Sequence, residues 1–115
     1  MGLPAAGAVV LVRFPFSDLS RTKLRPAIVL AEAGRGDRVL CQVTSKAYGD
    51  ERAMTVATTD LASGSLRVTS FARPGKLFTA NETIITTTIA SLKTEALVRV
   101  LDAVLNVLRP SAEQK

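Results

Sequence analysis

The sequence contains no histidine and no tryptophan, one cysteine, and only four phenylalanines and one tyrosine in 115 residues. Without histidine, neither the Ser-His-Asp and Cys-His arrangements that activate nucleophiles nor the histidine acid–base pair of many ribonucleases can form. One cysteine without histidine also excludes a structural zinc site, and we expect no metal and no cofactor. A single cysteine cannot form an internal disulfide, so cysteine content gives no reason to expect secretion.

Long hydrophobic runs are also missing. The apolar stretch from Leu3 to Val12 is closed by Arg13 and is too short to span a membrane. It lacks the basic start of a signal peptide, and Ala6 stands where a myristoylation signal requires serine or threonine. We therefore expect a cytoplasmic protein with no membrane partner.

The length and the 47% apolar content predict one globular domain over residues 1–115. The net charge of +5 serves solubility as well as it serves binding. Its distribution is more informative, because Leu61 to Asn81 contains basic residues and no acid, and Arg13 to Arg25 contains four basic residues against Asp18. Two local basic patches favour an anionic partner.

Apolar runs and their alternation with polar residues predict seven short strands, separated by polar loops. The expected strands are Ala8–Phe14, Arg25–Ala31, Asp37–Ser45, Ala53–Thr58, Leu66–Phe71, Lys76–Ala80 and Ile84–Ile89. The expected connections include a loop at Pro15–Leu24, a hairpin turn at Glu32–Gly36, a loop at Lys46–Arg52 and a turn or single helical turn at Asp60–Ser65.

The last element is an amphipathic helix from about Glu95 to Arg109, with Thr94 as its N-cap and Pro110 at its end. Its apolar arc is wide enough to pack on a sheet and also on a partner. Short strands followed by one helix predict a mainly β fold, a small antiparallel β-barrel capped by a C-terminal α-helix.

The most informative local pattern is Arg25 before Pro26, because proline holds the preceding residue in an extended conformation. If the second and third strands form a hairpin, its far ends bring Arg25 beside Thr44 and Ser45. The alternative is an ordinary surface arginine at a strand end. Cys41 and the acids Asp50 and Glu51 have simpler interpretations, as a buried inert thiol and as solvated loop residues.

A guanidinium and two hydroxyls can orient groups and stabilise negative charge without an imidazole or a metal. RNA carries its own nucleophile, the 2′-hydroxyl, whereas DNA does not. If the site cleaves anything, metal-free RNA cleavage is the least demanding chemistry.

Three segments resemble the PemK/MazF toxin family. The first runs from Val9 to Ser20 and on through Lys23 to Leu30, the second is Leu40–Ser45, and the third is Ser70–Thr79. The resemblance covers about Ala8 to Leu108. The sequence departs from the family at Ala90, where glycine is frequent, and in the threonines 86–88, where basic residues are expected.

The resemblance implies a homodimeric barrel of the PemK/MazF/CcdB type that acts as the toxin of a type II toxin–antitoxin system. It implies a metal-independent endoribonuclease that cuts single-stranded RNA at short sequences and leaves a 2′,3′-cyclic phosphate and a 5′-hydroxyl. Arg25 matches the catalytic arginine, Thr44 the catalytic threonine or serine, and Ser20 the serine of the first loop. An acidic antitoxin is the expected second partner.

The expected RNA-binding surface combines cations, a hydroxyl and two aromatic residues that could stack on bases. Its members are Arg13, Phe16, Arg21, Lys23, Ser45, Lys46, Tyr48, Arg73 and Lys76. Phe16 is equally well explained as a core residue. Two other functions stay open: a toxin of the same fold that poisons a protein such as DNA gyrase, and an RNA-binding module without activity.

Overall fold

The computed structural model describes residues 5–15, 22–47 and 49–109. These residues form seven β-strands, two short 3₁₀ helices and one α-helix. The strands are β1 (Ala8–Pro15), β2 (Thr22–Gly34), β3 (Asp37–Thr44), β4 (Met54–Val56), β5 (Leu61–Gly64), β6 (Ser70–Asn81) and β7 (Ile85–Leu92), and the helix is α1 (Thr94–Leu108). The 3₁₀ helices are Thr58–Asp60 and Glu82–Ile84.

All seven strands join one antiparallel sheet in the order β4-β6-β3-β2-β1-β7-β5. The sheet curls into a half-barrel, so both faces of its central strands are buried. Alternate residues of β2 enter different clusters, with Ile28 in the cluster that includes α1 and Val29 in the second cluster. The predicted antiparallel barrel with a C-terminal helix is confirmed.

In the β2–β3 hairpin, β2 is longer at both ends than the sequence predicts, and β3 ends one residue earlier. Its turn is the two-residue pair Arg35-Gly36, with φ of 57° and 83°, between the paired residues Gly34 and Asp37. Two positive φ values are the signature of the turn whose twist matches a β-hairpin. The five-residue turn expected at Glu32–Gly36 was therefore wrong. The loop expected at Pro15–Leu24 also ends early, because β2 begins at Thr22.

The third quarter of the chain differs most from the prediction. β6 is one strand that runs through Pro74-Gly75, where two strands were expected. The pairing moves from Cys41–Leu77 to Val43–Ala72, so one residue of β3 lies opposite four residues of β6. This bulge accommodates the proline, which cannot donate to a sheet.

Strand β5 stands where a turn was predicted, and residues 66–69 form no strand. Gly64 explains why β5 can pair closely with β7. Its φ is 77°, and a Cβ at this position would overlap the backbone of Ile89 and Ala90. Only glycine meets both conditions, since it alone has no side chain and adopts positive φ without strain.

Helix α1 packs on the sheet through Ala96, Val100 and Val104, which are buried. Its N-cap is Lys93, not the expected Thr94, and no side chain caps the first turn. Beside this buried face, Val98, Leu105 and Leu108 are exposed large hydrophobic residues, and the half-buried Leu101, which packs against the core cluster, lies in the same row. No helix in the described ranges is both long and apolar enough to cross a membrane.

Asp60 links the 3₁₀ helix Thr58–Asp60 to α1. Its carboxylate accepts hydrogen bonds from the Ala57 N–H at 2.8 Å and from Arg99 Nη2 at 2.8 Å. The Ala57 N–H, and secondarily Arg99, hold the pKa of this carboxyl below its ordinary value. The sequence gives no sign of these partners, because Arg99 is 39 residues away.

Candidate active site

The hairpin brings the predicted catalytic pair together. Ala27 pairs with Gln42, and the same register continued toward the strand ends puts Arg25 opposite Thr44. Because alternate residues share a face, the two side chains stand on the same side of the sheet. Arg25 is exposed and Thr44 is half-buried.

A cavity of about 440 Å³ lies at these strand ends. This volume falls within the range of small-ligand sites in proteins, roughly 300–1,000 Å³. One wall comes from β2 and β3 and includes Arg25, Thr44 and Ser45. A second wall comes from Ser65, Leu66, Arg67 and Val68, which follow β5, and from Ser70 at the start of β6, and Leu11 of β1 and Ile89 of β7 complete the lining.

The Thr44 hydroxyl also holds the end of β3. It donates to the carbonyl oxygen of Lys46 and accepts from the Lys46 N–H, each at 3.1 Å. This local turn fixes the direction in which the next loop leaves the sheet. Thr44 therefore has a structural task in addition to any contact with a substrate.

The loop after β3 is tied to the bulge of β6 by an ion pair. Arg73 Nε lies 2.6 Å from Asp50 Oδ2, and Arg73 Nη1 lies 3.4 Å from Gln42 Oε1. The hydrogen bond from Arg73 is the largest cause of the lowered pKa of Asp50. Asp50 was expected to be a solvated loop acid, and that prediction was wrong because its side chain is only 15% exposed and paired.

Cys41 is fully buried under this site. Its thiol donates to the carbonyl oxygen of Arg73 at 3.2 Å, and burial raises its pKa to about 11. A thiol with such a pKa is protonated near neutral pH and is a poor nucleophile. The expected buried position is confirmed.

The wall after β5 was not among the predicted site residues. Arg67 and Val68 line the 440 Å³ cavity and also a neighbouring cavity of about 300 Å³. The acid-free stretch from Leu61 to Asn81 was the available signal in the sequence. That signal could not place Arg67, because its position depends on the pairing of β5 with β7.

No protein-family model matches the sequence, and no curated protein matches it. Solved structures do match. A chain of the crystal structure of MazE-MazF from Deinococcus radiodurans is 22% identical, with a TM-score of 0.74 over 94% of this chain and 97% of that one. This chain has the MazF fold.

Two mycobacterial structures match with lower identity. An endoribonuclease from a mycobacterial species, solved with its cognate antitoxin, is 12% identical, with a TM-score of 0.70 over 94% of this chain and 95% of that one. The toxin MazF-mt6 from Mycobacterium tuberculosis is 16% identical, with a TM-score of 0.67 over 88% and 95%. The resemblance inferred from three sequence segments is thus confirmed at the level of the fold.

Within this MazF fold, the remaining predicted site residues are dispersed. Arg13 pairs with Leu24, which lines the large cavity, while Lys23 and Lys46 are exposed beside it. Lys76 lines a separate cavity of about 170 Å³ with Gln42. Phe16, Ser20, Arg21 and Tyr48 lie outside the described residues.

Metal ligands are not clustered in the part of the MazF fold that the structure describes. Residues 5–15, 22–47 and 49–109 contain no group of three or more cysteine, aspartate or glutamate side chains arranged to hold an ion. The charged residues that line the 440 Å³ cavity are Arg25 and Arg67, and their guanidinium groups are suited to binding anions.

Proposed function

We propose that this chain, as one domain, is the toxin of a toxin–antitoxin pair and cleaves single-stranded RNA without a metal. The observation that carries the proposal is the placement of Arg25, Thr44 and Ser45 around one cavity in a chain with the MazF fold. A neighbour of the same fold is named an endoribonuclease, which supports the activity.

The chemistry is a transesterification within the RNA. The 2′-oxygen attacks the adjacent phosphorus and the bond to the 5′-oxygen breaks, leaving a 2′,3′-cyclic phosphate and a 5′-hydroxyl. The proton lost from the 2′-hydroxyl is balanced by one gained at the 5′-oxygen. Arg25 donates to the non-bridging oxygens, where negative charge grows, and Thr44 adds a hydroxyl donor. Ser20 is the third proposed catalytic residue.

The proposed RNA surface begins beside this centre. Lys23 and Lys46 provide exposed charge beside the cavity, and Ser45 lines it. Arg13, Phe16, Arg21, Tyr48, Arg73 and Lys76 complete the proposed set. For Arg73, RNA binding requires that the phosphate compete with Asp50 for the guanidinium.

Two protein partners follow from the same proposal. An acidic antitoxin segment would occupy the cavity and block the site, since cations line or flank it. A second copy of the chain would cover the exposed apolar row on α1. We place the protein in the cytoplasm, where its RNA substrate lies.

The test is incubation of the purified protein with single-stranded RNA in EDTA. We expect fragments with 5′-hydroxyl and 2′,3′-cyclic phosphate ends, and no cleavage of the all-deoxy strand or of the 2′-O-methyl strand of the same sequence. Intact RNA would refute the ribonuclease and would favour a toxin that acts on a protein target.

A further inference from the structure

We propose that residues 65–69 form a second RNA-binding wall, in which Arg67 binds a phosphate and Val68 contacts a base opposite Leu24. This inference rests on the proposed function and extends it to a nucleotide next to the scissile phosphate. It assigns the neighbouring 300 Å³ cavity as the subsite that this adjacent nucleotide enters.

Arg67 differs from the three arginines that form ion pairs within the described residues. Arg38, Arg73 and Arg99 each form an ion pair with an acid. Arg67 is exposed and forms no ion pair with another residue within 5–15, 22–47 and 49–109. Its guanidinium therefore reaches an incoming anion without first losing a carboxylate partner.

The position of Arg67 between two cavities specifies the anion. It lines both the 440 Å³ cavity and the 300 Å³ cavity, so the segment 66–68 is their shared wall. A strand of RNA that places one nucleotide in each cavity must pass its linking phosphate over this wall. Arginine suits that phosphate because its planar fork donates to two oxygens.

Val68 and Leu24 supply apolar surface at the same place. They are 58% and 49% exposed, and both line the 440 Å³ cavity, Val68 from the segment after β5 and Leu24 from β2. Exposed apolar side chains that converge on a cleft mark a ligand contact more often than chance surface. A nucleobase presents an apolar face to each side and fits between two such residues.

The wall is held in place before RNA arrives. The Ser65 N–H donates to the Ile89 carbonyl oxygen at 3.3 Å, and the Ser70 hydroxyl donates to the Val68 carbonyl oxygen at 3.0 Å. Gly64 anchors the segment against β7. Binding therefore requires less ordering of this segment than of a free loop.

The experiment compares Arg67→Asn with Arg35→Asn, a matched charge change at the exposed hairpin turn, which lines neither cavity. Binding of a 20-nucleotide 2′-O-methyl RNA pool of random sequence is followed by fluorescence anisotropy from 50 to 300 mM salt. We expect Arg67→Asn to weaken binding about 10- to 100-fold at low salt. Its log–log salt slope should fall by about 0.7, the value of one phosphate contact on a single strand.

Val68→Ser separates the base contact from the charge. We expect weaker binding by about threefold or more with an unchanged salt slope, because no phosphate contact is lost. Arg35→Asn should keep the wild-type affinity and slope. Wild-type binding by either Arg67→Asn or Val68→Ser would overturn the proposal, as would an equal loss in Arg35→Asn.

Cleavage in EDTA distinguishes failure of this wall from failure of the proposed function. If the unmodified protein cleaves RNA and Arg67→Asn cleaves and binds equally well, only the wall is refuted. If the unmodified protein neither cleaves nor binds RNA, both proposals fall. Binding of an acidic peptide but no RNA by the unmodified protein would assign the wall to the antitoxin and would also overturn the proposal.

Discussion

Arg25 and Thr44 both line the 440 Å³ cavity, at the strand ends of a hairpin that closes with a two-residue turn. We expect Arg25→Ala to lower kcat/KM for RNA by at least about 10²- to 10³-fold, as loss of a transition-state donor does. Arg25→Lys should also fail, because a point charge does not reproduce the guanidinium fork. The kcat/KM of both variants is measured from RNA cleavage in the presence of EDTA.

The control for Arg25 is the fold. The side chain is exposed, so the circular dichroism spectrum and the melting temperature should stay close to those of the unmodified protein. Full activity in a correctly folded Arg25→Ala variant would mean that the catalytic assignment is wrong.

Thr44 combines a proposed catalytic hydroxyl with two hydrogen bonds to Lys46. Thr44→Ser keeps the hydroxyl and should retain activity within a few-fold. Thr44→Val loses it and should be impaired about 10²- to 10³-fold, with a stability loss of about 1 kcal/mol. Urea denaturation measures the stability. Equal activity of the valine and serine variants would leave Thr44 with its structural task alone.

The Asp50–Arg73 ion pair predicts a pH dependence of stability. Arg73 lowers the pKa of Asp50 in the folded state below its ordinary value of 3.8. The charged carboxylate therefore stabilises the fold above pH 3.8, and this contribution is lost as the pH falls toward the lowered pKa. Asp50→Asn removes it at neutral pH.

Urea midpoints at pH 7 and below pH 3 test this linkage. At pH 7 the urea midpoint of the unmodified protein should be higher than that of Asp50→Asn. The difference between the two midpoints should be smaller below pH 3. Glu51→Gln changes the neighbouring exposed acid. The urea midpoint of this variant should change between pH 7 and pH 3 by as much as that of the unmodified protein. If the difference in urea midpoint between the unmodified protein and Asp50→Asn is the same at both pH values, the ion pair is not the cause of that difference.

At the scale of elements, the sequence pattern correctly predicted the strands and the hairpin that depend on residues close together in the chain. Apolar runs located β1 and β2, alternation located β3, and hairpin arithmetic placed Arg25 near Thr44. The pattern failed where a partner far along the chain decides the structure. Strand β5 exists because β7 pairs with it, and β6 continues through Pro74 because a bulge against β3 accommodates the proline.

The candidate site likewise has one part that the sequence predicts and one part that it does not. The wall from β2 and β3 was predictable, because one turn relates its two strands. The wall that carries Arg67 was not, because it depends on strands separated in sequence. The ion pair between Asp50 and Arg73 joins residues 23 apart and was missed for the same reason.

Gly64 allows a test of the β5–β7 pairing with a matched control. Gly64 and Gly49 have φ of 77° and 72°, but only at Gly64 would a Cβ overlap neighbouring backbone. Alanine at either position adds strain of about 1 kcal/mol or more from positive φ. Gly64→Ala should cost about 2 kcal/mol beyond Gly49→Ala, a further fall in melting temperature of roughly 6–12 °C.

Calorimetry of the two glycine variants measures that difference. Because the wall formed by residues 65–69 directly follows Gly64, the Gly64 variant should also lose RNA binding at temperatures where it remains folded. Equal melting temperatures for the two variants would show that β5 can move away from β7 at little cost.

At the scale of the whole molecule, α1 carries apolar rows on two sides. One side packs on the sheet, and the other exposes Val98, Leu105 and Leu108. Together with Leu101, these residues follow one another at steps of three, four and three. This spacing resembles the apolar seam along which two helices pair in a coiled coil. We expect a homodimer that buries this row, with a mass in solution twice the 12.2 kDa of the chain.

Leu105→Glu tests the row, because a charge in an apolar interface is costly. We expect a monomer by sedimentation at micromolar concentration, with the circular dichroism of the unmodified protein. Asn106→Glu, one position along the helix on its polar side, should remain a dimer. A Leu105→Glu variant that still sediments as a dimer would place the interface elsewhere.

The single cysteine makes this protein its own reporter of opening motions. Cys41 is buried between β2 and β6, at the centre of the sheet and beside the bulge. A thiol reagent can modify it only after those strands separate, so the labelling rate counts excursions of the core. With no second thiol in the sequence, every modification comes from one known atom. Binding of RNA or antitoxin in the cavity would then lower the labelling rate of Cys41, although the buried thiol contacts neither ligand.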